Sequence, residues 1–280
     1  MNRRQLGHWA RTAREMPRRT PVIGRMLGRL IRVNWMEASA RLAAQTFLAA
    51  LPLLIVVAAF APKRIQDVLV DSVQALLGED APVGDIKETF GAQGGTKETY
   101  GAVGVFVTLI SATALSRALQ RVCERCWDLP KAGARMSAWR WLVWLLGWLA
   151  ALLVQAPLRH GFGGGTGLGV VLSLVTSVLL WWWTQHLLLG ARMRWKPLLP
   201  GAVLAGVGMV TYVYVSGVFM PANMRRTTAQ FGSLGYVFAM LSWLIGGCCV
   251  VVAGIALGQV TAGSGPFPRW LGTPVAAKEP

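Results

Sequence analysis

Charged residues are scarce in this chain. Lys, Arg, Asp and Glu supply 14% of its 280 residues, against roughly a quarter in an ordinary soluble domain. Six stretches lack all four types: 42–62, 99–116, 141–158, 161–191, 197–223 and 227–268. A helix needs about 20 apolar residues to cross a hydrocarbon core. The scarcity therefore speaks against a water-soluble globule and predicts six membrane crossings, the 99–116 stretch being marginal in length.

Other absences narrow the chemistry. The three histidines, His8, His160 and His186, are far apart, and no His/Asp cluster has metal-ligand spacing. Four cysteines form no disulfide framework, and Cys123-x-x-Cys126 lacks the second pair of a structural zinc site. The turn Gly161-Phe162-Gly163-Gly164-Gly165-Thr166-Gly167 lacks the Lys-Ser or Lys-Thr ending of a phosphate loop, and there is no Walker A or GxSxG sequence. The sequence thus leads us to expect no catalytic residue, no metal and no cofactor. A ribonuclease reading is disfavoured, because metal-dependent phosphodiester cleavage needs clustered ligands.

Tryptophan, by contrast, is abundant. The 13 indoles include Trp139, Trp141, Trp144, Trp181 to Trp183, Trp195 and Trp270, near predicted helix ends, as expected for rings that favour the headgroup zone. The 28 basic residues are placed asymmetrically. Segments 1–41, 117–140, 191–197 and 260–280 hold 21 of them, and the alternate segments hold 7, while seven of the twelve acids lie in 63–100. The positive-inside rule then puts both termini in the cytoplasm and requires an even number of spans. The net charge of +16 follows from this flanking, with no aromatic-interleaved basic face for nucleic acid. The expected partners are membrane lipids, through anionic headgroups on the cytoplasmic side; a homo-oligomer is left open.

The expected fold is all-α: six transmembrane helices at about 42–62, 100–116, 141–158, 167–190, 198–220 and 232–259, with an extra amphipathic helix in the first external loop. A basic arm, 1–41, precedes them and a tail, 260–280, follows. Within the arm, Val22, Met26, Leu30 and Val33 share one side of a helix over 22–36, and Arg25, Arg29 and Arg32 share another. This is an interfacial helix with arginines toward headgroups, or a solvated basic arm. In the external loop, Ile65, Val68, Leu69, Val73, Leu76 and Leu77 repeat helically up to Gly78, and an acidic, Gly-rich stretch follows.

Proline removes a backbone donor, so Pro52 predicts a kink in span one. Span two is expected to continue as a helix to Trp127, stacking Arg117, Arg121 and Arg125 on one face. That stripe is an anchor, or a grip on lipid phosphates or on a partner's acids. Gly254 and Gly258 form a GxxxG pair suited to close helix packing. Polar residues within the spans, Gln45, Ser111 and Thr113 above all, with His186 at the inner end of span four, are cavity-lining candidates beside Pro52, because hydrocarbon cannot satisfy them.

Four segments in order carry a resemblance: Ala40-Arg41-Leu42-Ala43-Ala44-Gln45-Thr46-Phe47 leading to Leu51-Pro52-Leu53-Leu54; Leu109-Ile110-Ser111-Ala112 through Arg121 to Trp127-Asp128-Leu129-Pro130; Leu199-Pro200-Gly201-Ala202; and Phe231-Gly232-Ser233-Leu234-Gly235. Over about 34–261 the chain resembles the YihY/BrkB family of bacterial inner-membrane proteins. The resemblance implies a multi-pass protein of the cytoplasmic membrane. Members have been labelled a ribonuclease and a serum-resistance factor, and one has been linked to export of lipopolysaccharide precursors. Where members often carry a Gly-Ala-Glu-Leu-like acid, this chain has Gly254-Ile255-Ala256-Leu257, so coupling through that carboxylate lacks its residue. The functional expectation is a transporter or flippase-like protein for a lipid or amphiphilic solute, with a cavity among spans one, two, five and six. The alternative is a non-catalytic scaffold or envelope-integrity factor acting through Arg117 to Arg125.

Overall fold

The computed structural model describes residues 21–60, 97–130, 138–159, 166–190, 192–232 and 234–263. The arm before residue 21, the expected external amphipathic helix, the glycine turn at 161–165 and most of the tail lie outside the described residues. Within them the chain is helical: α1 (Pro21–Val33), α2 (Trp35–Phe60), α3 (Lys97–Cys126), α4 (Ala138–Arg159), α5 (Thr166–Leu188), α6 (Trp195–Phe231) and α7 (Leu234–Ala262). Three stretches are long and apolar enough to cross a membrane: Gly167–Leu188, Trp195–Phe231 and Leu234–Ala262.

The helix expected over 22–36 divides at Asn34, whose φ of 54° is one that asparagine tolerates better than most residues. Its side chain donates to Glu37 in the first turn of α2. At the other end of the bundle, α6 runs straight through 221–231, where a loop was expected. Pro200 and Pro221 both lie inside it, and nothing stops it before Gly232. At 1.5 Å per residue its 37 residues span about 55 Å, well beyond the ~30 Å of a hydrocarbon core.

The reversal from α6 to α7 explains the Phe-Gly-Ser-Leu-Gly segment. Gly232 adopts φ 59°, ψ −139°, a conformation reserved for glycine, and its N–H donates to the Thr228 carbonyl. A Cβ on Gly235 would stand 2.3 Å from the Thr227 carbonyl oxygen, so only glycine lets α7 turn back this closely.

α7 is the hub of the bundle. It is apolar around its whole circumference, and it packs on α6, α2, α1 and α3. α5 packs on α6 and α4, and α3 packs on α2 and closes back on α5. The α6–α7 seam is the tightest. A Cβ on Gly258 would fall 2.1 Å from the Gly201 Cα, and one on Gly254 would fall 2.7 Å from the Ala205 Cα. Small residues four apart on both helices thus interlock, the arrangement that lets helices associate where lipid offers no hydrophobic gain.

The core is denser at one end. Cys123, Cys126, Leu189, Leu198, Val252, Ile255 and Ala256 are fully buried there. At the other end the described residues form a small cluster, Met220, Met224 and Ala239, and Val218 and Phe219 of α6 are exposed among them.

Candidate functional site

The dense end brings together α1, the end of α3, the α5–α6 connection and the end of α7, which the chain visits far apart in sequence. The contacts that join the first three are ionic. Arg29 of α1 is buried, and its Nη1 donates to Asp128 at 2.7 Å while its Nη2 donates to the Cys126 carbonyl. Arg192, between α5 and α6, donates to the Glu124 carboxylate, to the Pro130 carbonyl at 2.7 Å and to the Leu189 carbonyl at 2.9 Å. Gln120 adds a further donor to Glu124 at 3.0 Å. The side chain of Glu124 is only 5% exposed, so this carboxylate depends on its partners for the hydrogen bonds that water would otherwise supply.

Local folding sets the geometry. α3 ends in a Schellman motif: the Leu129 N–H donates to the Glu124 carbonyl at 2.9 Å and the Asp128 N–H to the Arg125 carbonyl at 3.4 Å. The left-handed position of that motif usually belongs to glycine. Here Asp128 takes it, at φ 50°, a value aspartate tolerates better than most residues, and its carboxylate accepts from Arg29. Asn34 and Asp128 are the only non-glycine residues with positive φ among the described residues.

Both line a cleft of about 390 Å³ between α1 and the end of α3, walled by Arg29, Arg32, Val33, Glu124, Arg125 and Leu129 as well. Arg32 and Arg125 are exposed on its rim. Arg29 keeps a buried Nε without an acceptor. Thus Arg29, expected to face headgroups or solvent beside Arg25 and Arg32, turns inward instead. Its partner is Asp128, of the Trp127-Asp128-Leu129-Pro130 segment, while Glu124 pairs with Arg192, one of the three basic residues of 191–197.

The other expected residues are dispersed. Arg117, Arg121 and Arg125 are exposed along one face of α3, and only Arg125 reaches the cleft. Gln45, Pro52, Ser111, Thr113 and His186 do not line it. Thr113 donates to the Leu109 carbonyl of its own helix at 2.7 Å, and Thr46 to Leu42 at 2.9 Å; such back-bonding satisfies a hydroxyl in lipid without any cavity. Ser111 is half-buried and Pro52 buried. His186 stacks on Trp195 with ring centroids 3.9 Å apart, where Trp182 also donates to the Trp195 carbonyl.

Two glutamines, like His186 at Nδ1 and Ser173 at Oγ, keep a buried polar atom without a partner. Gln45 on α2 leaves Oε1 buried without a donor. Gln185 on α5 is fully buried; its Nε2 donates to the Trp181 carbonyl at 3.3 Å, and its Oε1 has no donor, facing the bare backbone of Gly201. Each orphaned amide oxygen costs roughly 1–3 kcal/mol. Gln185 is not among the expected site residues, because its burial against Gly201 arises from the packing of α5 on α6 and leaves no mark in the local sequence.

Cys123 and Cys126, one helical turn apart at the buried end of α3, are free thiols. Burial pushes the Cys126 thiol up to about 12, a rise that the nearby Arg29 guanidinium opposes. Burial pushes Cys123 up as well, with Cys126 and Glu124 adding to the rise. Both folded values lie above the unfolded one, so this contribution to stability is complete below the ordinary thiol range and is lost as pH rises through about 12 for Cys126. The thiolate is the reactive form. Peptide mapping after brief maleimide treatment at neutral pH should therefore find both thiols unmodified in the folded chain and modified after SDS.

An all-helical bundle with three helices long and apolar enough to span a bilayer, joined at one end by partly buried ion pairs, is a membrane protein. The sequence model of the family described as Virulence factor BrkB matches residues 26–265, and the chain belongs to that family. No curated protein and no solved structure matches the chain.

Proposed function

We propose that this chain is a six-span protein of a bacterial cytoplasmic membrane, with both termini inside, that moves a lipid or another amphiphilic solute. The topology is supported by the gathering of α1, the end of α3, the α5–α6 connection and the end of α7 at one end of the bundle. These belong to the four segments that hold 21 of the 28 basic residues. α2, α3 and α4, at 26, 30 and 22 residues, are long enough to add three crossings at 1.5 Å per residue.

The observation that carries the transport reading is the pair of orphaned amide oxygens, Gln45 Oε1 and Gln185 Oε1, on α2 and α5. A polar atom without a partner inside a membrane marks a position where water or a substrate group supplies one. The test is reconstitution of the full chain in liposomes with labelled phospholipid. Movement above protein-free vesicles is expected, and Gln45→Leu with Gln185→Leu should lower it by about tenfold, the value of one to two kcal/mol of lost interaction. The melting temperature should hold or rise. No movement in the wild type sinks the proposal for the lipids tried.

One observation favours the second reading, a scaffold or envelope-integrity factor. The bundle end around Leu189, Leu198 and Ile255 is fully packed, which leaves the exposed Arg117, Arg121 and Arg125 as a surface for a partner. Under that reading the double glutamine variant keeps full function in cells.

A further inference from the structure

We infer that the cleft between α1 and the end of α3 is a binding site for a phosphate group, held by Arg29, Arg32 and Arg125. This deepens the reading of the basic end as the headgroup side and rests on that orientation, but not on transport.

The charge balance of the lining comes first. Three guanidinium groups face two carboxylates, and one of those, Glu124, is already matched by Arg192 from outside the cleft. Asp128 is matched by Arg29. Arg32 and Arg125 are left over, both exposed on the rim, with no ion-pair partner among the described residues. Two arginines that flank one concavity repel each other, and a dianionic or monoanionic phosphate relieves that repulsion while accepting bidentate hydrogen bonds from planar donors.

The floor of the cleft makes a second, independent case. Arg29 is 95% buried and lines the cleft, yet its Nε finds no acceptor. A buried guanidinium is normally saturated, so its unused donor points to an acceptor that arrives from outside the chain. The cleft volume of about 390 Å³ far exceeds the ~30 Å³ share of one water molecule and accommodates a phosphodiester. Val33 and Leu129 supply an apolar wall for the carbon atoms next to it.

The ligand chemistry, a phosphate mono- or diester, has two sources, an anionic phospholipid headgroup or a soluble phosphate ester. Native mass spectrometry of the full chain in micelles containing equal phosphatidylglycerol and phosphatidylcholine separates them. The wild type is expected to retain phosphatidylglycerol preferentially. Arg32→Gln with Arg125→Gln should reduce that retention at least about tenfold, because each lost charge-assisted hydrogen bond is worth a factor of ten or more. Arg117→Gln with Arg121→Gln removes the same amount of charge, from α3 alone and outside the cleft, and should leave retention near the wild-type level. Displacement of the lipid by millimolar glycerol 3-phosphate assigns the site to the phosphate ester itself, and failure to displace it assigns the site to the membrane-tethered headgroup; both uphold it. Unchanged retention in the Arg32/Arg125 variant, or equal loss in the two double variants, overturns the inference. A wild type that retains phosphatidylglycerol here yet moves no lipid leaves the site standing and removes the transport reading alone.

Discussion

Leucine in place of Gly258 is expected to lower the melting temperature of the detergent-purified chain by roughly 10 °C or to abolish its cooperative melt. The reason is geometric. The added Cβ would lie 2.1 Å from the Gly201 Cα and 2.3 Å from its nitrogen, and neither backbone atom can swing aside as a side chain could. The helices must separate, and the van der Waals contacts that hold them together in lipid are lost along the seam. Overpacking of this kind costs about 1–3 kcal/mol and more where backbone is the obstacle, and each kcal/mol is worth about 2–4 °C in a chain of this size. Gly254→Leu, against Ala205, should show the same direction with a smaller fall. Gly217→Leu is the control: nothing lies within 4 Å of its Cβ position, and leucine is the better helix former, so its melting temperature should hold or rise. Equal behaviour of Gly258→Leu and Gly217→Leu would show that the α6–α7 seam is not close-packed.

The second large effect belongs to the ionic seal. Arg192→Ala is expected to destabilise the chain by about 3–5 kcal/mol, the cost of leaving a buried charge without its partner. The group left behind is Glu124, 5% exposed at its side chain, which keeps the Gln120 donor but loses the Arg192 guanidinium, and the Pro130 carbonyl loses its Arg192 donor too. Glu124→Ala should cost less, because Arg192 is 24% exposed and water can reach the guanidinium it abandons. Replacing both, Glu124→Leu with Arg192→Met, should recover most of the loss, as apolar groups often serve as well as a buried pair. Melting curves of the four species form a double-mutant cycle. Additive losses would show that the two side chains do not act as a pair.

Much of this architecture is legible in the sequence because membrane physics acts on composition. Charge-free runs give the helices, and glycines four apart give the α6–α7 seam before any partner is known. Three things were not legible. Proline is a poor guide to helix ends when the surrounding helix can absorb the lost donor, so Pro221 does not end α6. A threonine hydroxyl in a span looks like a cavity marker until its own helix is seen to satisfy it, as at Thr113. Charge counting assigns a side of the membrane but cannot pair residues about 70 to 100 positions apart, so the inward turn of Arg29 onto Asp128 and of Arg192 onto Glu124 emerges only from the fold. Aspartate rather than glycine at the left-handed end of α3 was the one local sign, and the Schellman geometry is needed to read it.

The central claim is that the four basic segments share one end of a membrane bundle and that this end faces the cytoplasm. Topology reporters fused after Pro280 and inserted within residues 79–95 measure it most directly. The account predicts a cytoplasmic signal from the first and an exterior signal from the second. Signals from the same side would contradict it.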